Sequence, residues 1–89
     1  MQGGFIMIRT TSLAEALECL YLKKKAVVTV SDEKVKYDSQ MYILTKLLHH
    51  QGILLSVEDL EKGNYTKAQS ESVIAASRKI KYFLRFVIC

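Results

Sequence analysis

The sequence predicts one small α+β domain, and three observations carry the prediction. Its 89 residues, 49% hydrophobic and 25% charged, are enough for a single shared core and too few for two. Short β-branched runs near the start and at residues 26–30 read as strands of a small antiparallel sheet. Several stretches repeat apolar residues at the helical period behind a polar cap. With no proline and only four glycines, nothing reads as a linker, so residues 1–89 form one unit.

In chain order, FIMIR at 5–9 is a candidate strand. Ser12 stands three residues before Glu15, a reciprocal capping arrangement that opens a helix. Leu13, Ala16, Leu17 and Leu20 give that helix its apolar stripe, and Lys23, Lys24 and Lys25 suit its negative C-terminal end. The run at 26–30, the polar turn at 31–34 and the alternating Val35, Lys36 and Tyr37 predict a hairpin. Residues 1–38 thus form a strand-helix-hairpin extension.

From Gln40 the period turns helical, with Met41, Ile43, Leu44, Leu47 and Leu48 inward and Tyr42, Thr45, Lys46 and His49 outward. Gly52 closes this helix in the left-handed region, and a brief extended piece follows at 53–55. Ser56 with Asp59 caps a short helix that Gly63 and Asn64 end. Thr66 with Gln69, or else Ser70, starts a last helix reaching about Phe86. On a wheel, Val73, Ala76, Ser77, Ile80, Phe83 and Leu84 share its packed side, and Glu71, Ala75, Arg78, Tyr82 and Arg85 lie opposite.

Charge concentrates in the second half. Residues 46–89 hold seven cations and four anions, and in the last twenty residues Arg78, Lys79, Lys81 and Arg85 face only Glu71. Such density either tracks a phosphate backbone or is a solvated helix face. Lys23, Lys24 and Lys25 carry the same two readings.

From 38 to 60 the string DSQMYILTKLLHHQGILLSVEDL resembles the first half of the winged-helix effector domains of two-component response regulators. Ser39, the helix from Met41 to Leu48, Gly52, Leu54, Leu55, Ser56 and Leu60 fall at the family's positions without a gap. ESVIAASRKIKYFLR at 71–85 is similar to its recognition helix. The resemblance implies a winged-helix-like three-helix core over residues 39–89, a helix-turn-helix, with the last helix in the major groove, whose width of about 12 Å admits one helix. It places Arg78 and Arg85 at guanine edges or phosphates, and Glu71 or Ser72 at a cytosine amino group or a phosphate. Tyr82 would touch the backbone, and Lys79, Lys81 and Lys46 would position the complex. Two departures stand out: the wing is missing or half formed, and no phosphoryl-accepting receiver domain accompanies the core.

The implied function is a DNA-binding transcriptional regulator acting on duplex DNA as a homodimer. The alternative is a non-enzymatic protein-interaction module of the same fold that binds and modulates a protein partner. No catalytic residue, cofactor, metal site or small-molecule ligand is expected. His49 and His50 are adjacent on a helix and diverge, so they cannot chelate one ion. Cys19, among Leu17, Leu20 and Leu22, reads as a buried structural thiol. The two cysteines show no pairing pattern, the start has no signal-peptide leader and no run is long enough to span a membrane, so the expected location is cytoplasmic.

Overall fold

The computed structural model describes residues 7–88. It places them in the order β1 (Met7–Ser12), α1 (Leu13–Tyr21), β2 (Val27–Thr29), a 3-10 turn (Ser31–Glu33), α2 (Lys34–His50), α3 (Val57–Lys62), α4 (Lys67–Ser77) and β3 (Phe83–Ile88). The predicted α+β class holds: among the described residues, four α-helices accompany one three-stranded antiparallel sheet in the order β1-β3-β2.

The capping chemistry sets most helix starts. Ser56 and Asp59 complete a reciprocal box at α3, and Thr66 and Gln69 do the same at α4. At α1 only half the box forms. Ser12 Oγ accepts the Glu15 N–H at 3.3 Å, while the Glu15 carboxylate is drawn to the Thr11 hydroxyl and lies 3.6 Å from Arg9. Gly52 and Gly63, with φ of 80° and 68°, take the left-handed conformation that ends α2 and α3.

Three expectations are corrected. The strand expected to end at Arg9 continues to Ser12; Phe5 and Ile6 lie outside the described residues. The expected hairpin does not form, because β2 stops at Thr29 and Val35, Lys36 and Tyr37 belong to the first turns of α2. Three residues of alternation are too short a signal against a longer helical one: Tyr37, Met41, Leu44 and Leu48 recur at 3.6-residue spacing and are buried. Lys34 pairs with Asp38 one turn on, supporting the same helix.

The largest correction concerns the chain's last third. The expected helix over 66–86 ends at Ser77, and Phe83–Ile88 is the central strand, paired with β1 from Met7↔Ile88 to Ser12↔Phe83 and with β2 from Val27↔Ile88 to Thr29↔Phe86. Phe, Leu, Phe, Val and Ile suit a pleated surface, and β1 and β2 both pair only with this segment, so tertiary pairing overrides helical spacing. Leu84, Phe86 and Ile88 point to one face and are buried there. α1 packs on that face, as does α2 through an edge-to-face contact of Tyr37 with Phe86 at 6.1 Å. Ile74, which the wheel left off the packed side, is buried as well.

Candidate functional site

The seven residues predicted to meet DNA do not share a helix face. Glu71 and Ser72 lie on α4, exposed and half-buried respectively. Arg78 caps the helix C-terminus, and its Nη2 donates to Glu18 Oε1 of α1 at 3.0 Å. Lys79, Lys81 and Tyr82 lie between α4 and β3, where Ile80 N–H donates to Ser77 C=O and closes the helix end. Arg85 sits in mid-strand with its guanidinium on Asp32 and its backbone N–H donating to Glu33. Both arginines on which groove docking depended are therefore engaged by acids. α4 itself presents one cation, Lys67, and one anion, Glu71.

What the fold does bring together is the outer face of the sheet. All residues directly opposite one another in an antiparallel ladder share a face, so Ile8, Val87 and Val28 form one row across the three strands. Ile8 and Val28 are 63% and 61% exposed, which is unusual for two β-branched residues flanking a central strand. Along β3 the same face carries Arg85, opposite Thr10, and then Phe83, which is 67% exposed. Among the described residues no helix covers this side. By the strand spacing, the row spans roughly 10 Å.

This face is electrically quiet. Its one charged residue in the strands, Arg85, is paired with Asp32, while Arg9, opposite Phe86, belongs to the other side and lies near Glu15. Lys23, Lys24, Lys25, Lys46, Lys67, Lys79 and Lys81 form no ion pair among the described residues, and all lie in helices or connecting segments. Sequence reading missed the face because its residues come from three separated segments. The available signal was the alternation of Leu84, Phe86 and Ile88 with Phe83, Arg85 and Val87.

On the opposite, covered side, α1 and α2 splay over β2 and leave a cleft of about 470 Å³. Its polar end holds Tyr37, whose hydroxyl donates to Glu61 Oε2 at 3.0 Å. Burial and then the Glu61 hydrogen bond push the Tyr37 phenol well above its ordinary range, and burial pushes Tyr65, stacked on Tyr21, up to about 12. A phenol is uncharged when protonated and titrates near 10 when unfolded. The unfolded chain therefore loses these protons first. Stability from keeping them is complete below about pH 10 and is lost as pH rises toward and through 12. Urea unfolding followed by circular dichroism should show a midpoint that falls between pH 10 and 12, and Tyr65→Phe should shrink that fall; a flat midpoint would contradict it.

Cys19 is buried in α1, as its neighbours predicted. Among the described residues no group of three or more metal-ligating side chains gathers, and no helix is long and apolar enough to cross a membrane. Comparison with protein-family models, curated proteins and solved structures finds no match for the chain, so its reading rests on its own geometry.

Proposed function

We propose that this chain is a non-enzymatic protein-interaction module that docks through the open face of its sheet, and that the occupant is a second copy of the chain. The observation that carries the reading is the exposed row Ile8-Val87-Val28, with Phe83 further along the same face. Water in contact with contiguous apolar side chains favours their burial, and such patches mark interaction sites. Charge argues for self-association. Two copies of a chain with net charge +4 repel, and the repulsion is least where they meet through a face whose one cation, Arg85, is already neutralised by Asp32. A two-fold axis parallel to β3 would set Val87 against Val87 and Ile8 of one protomer against Val28 of the other, a self-complementary isologous contact. An interface this small gives a weak, exchangeable dimer.

The winged-helix kinship finds support in the order α2, α3, a tight turn at Gly63 and α4, with a strand after it. It lacks a strand at 53–55 and a hairpin after α4 among the described residues. Duplex DNA is the weaker reading, since it rests on the unpaired lysines and not on a basic recognition helix.

Sedimentation equilibrium tests the proposal. The average mass should rise from the 10.1 kDa of one chain toward twice that value with concentration, and Ile8→Lys with Val28→Lys should weaken association at least about tenfold, roughly 1.4 kcal/mol, with an unchanged melting curve. A wild-type mass fixed at one chain, or a double variant that associates equally, would refute it. If random-sequence duplex binds at low salt while the protein stays monomeric, the function moves to the lysines.

A further inference from the structure

The cleft between α1 and α2 opens on the other side of the sheet from the docking face, and the two meet at the edge strand β2, where Val28 borders both. Its walls are apolar: Leu13, Leu17 and Leu20 supply one stripe of α1, Val27 lines it from β2 and Phe86 forms part of the floor. A volume of about 470 Å³ falls within the range of about 300–1,000 Å³ occupied by small-molecule sites. Empty voids left by imperfect packing are apolar. This one ends in an organised polar group, with Tyr37 Oη held on Glu61 Oε2 and Lys34 and Ser31 at the rim.

The charges at that end choose the ligand. Lys34 Nζ is engaged by Asp38 Oδ1 at 2.6 Å and lies 5.6 Å from the centre of the Tyr37 ring. Its charge is therefore answered first on its own helix, with Glu61 a weaker neighbour. Glu61 is exposed, forms no ion pair among the described residues, and spends one oxygen on the Tyr37 hydroxyl, leaving Oε1 as a free acceptor. Of the lining residues only Glu61 and Lys34 are charged, and Asp38, behind the rim, already answers Lys34, so the charge left over at this end is that of Glu61. A ligand with an anionic head would face that carboxylate. One with an ammonium head would pair with Glu61 Oε1 while its apolar body displaced water from the leucine stripe.

We propose that this cleft binds a small amine with a compact aryl or branched-alkyl body, its ammonium on Glu61 and its body between α1 and Phe86. The test uses 2-phenylethylamine and its anionic counterpart phenylacetate on the intact chain, with NMR shifts of the Leu17, Leu20 and Phe86 side chains as the readout. The amine should shift these resonances saturably and bind at least about tenfold more tightly than phenylacetate. Glu61→Gln, a change at an exposed carboxylate, should weaken the amine at least about tenfold and leave phenylacetate unchanged. Leu20→Trp, at a half-buried position, should fill the cleft and abolish both shifts, with the wild-type amide spectrum elsewhere showing that the fold persists. The proposal is overturned if the amine produces no saturable shift, if phenylacetate binds equally well, or if Glu61→Gln leaves amine binding intact.

Discussion

Replacing Phe86 with alanine is expected to lower the unfolding free energy by about 3–5 kcal/mol, whereas Phe83→Ala is expected to change it by less than about 1 kcal/mol. The two aromatics are three residues apart on one strand and therefore lie on opposite faces. Phe86 is fully buried, against Tyr37 and beneath the splayed helices, so truncation removes its transfer energy and opens a void in the floor of the cleft. Phe83 is mostly solvated, so truncation there removes little contact. A small domain holds only about 5–15 kcal/mol in total, which makes the Phe86 change a large share of it. Guanidinium unfolding of both variants reads the difference. A helix through 66–86 would put Phe83 on the packed side with Ile80 and Leu84, so comparable losses at both positions would argue for the helix and against the strand.

That contrast also shows what the sequence could and could not disclose. Local chemistry was legible: a cap and its partner three residues on need little from the rest of the chain, which is why Ser56, Thr66, Gly52 and Gly63 fall where expected, and the box at Ser12 stays half formed only because Thr11 and Arg9 compete for Glu15. Non-local pairing was not. The run from Ile80 to Ile88 satisfies a helical wheel and a period of two at once, and only the presence of two unpaired strands, separated from it by over fifty residues, decides between them. The site followed the same rule. Arg78 and Arg85 looked free because their acid partners, Glu18 and Asp32, are distant in sequence. The hydrophobic row at the sheet surface stayed invisible because register across three strands is a tertiary fact.

Glu33→Ala should destabilise the fold by about 1.5–3 kcal/mol, and Glu33→Gln by less, because Glu33 completes a sheet ladder that the backbone leaves unfinished. β2 ends at Thr29, and the next antiparallel position would pair Val30 with Arg85. Half of that pair exists: Val30 N–H donates to Arg85 C=O at 3.2 Å. The other half does not, since the Val30 carbonyl accepts the Glu33 N–H at 2.8 Å and so starts the 3-10 turn. The Arg85 N–H, facing β2 from the central strand, is taken instead by Glu33 Oε2 at 3.1 Å from a nearly buried side chain. Alanine would leave that donor unpaired beside a three-residue edge strand, whereas glutamine keeps an uncharged acceptor in place. The Lys36 contact to Glu33, at 3.7 Å with the lysine end largely in water, adds little to the difference. Urea unfolding gives the magnitudes, and faster exchange of the Arg85 amide in the alanine variant gives the location. Because β2 also presents Val28 to the docking face, its loosening should weaken self-association in step. An alanine variant as stable as the glutamine one, with unchanged exchange at Arg85, would mean the carboxylate is not what holds that edge.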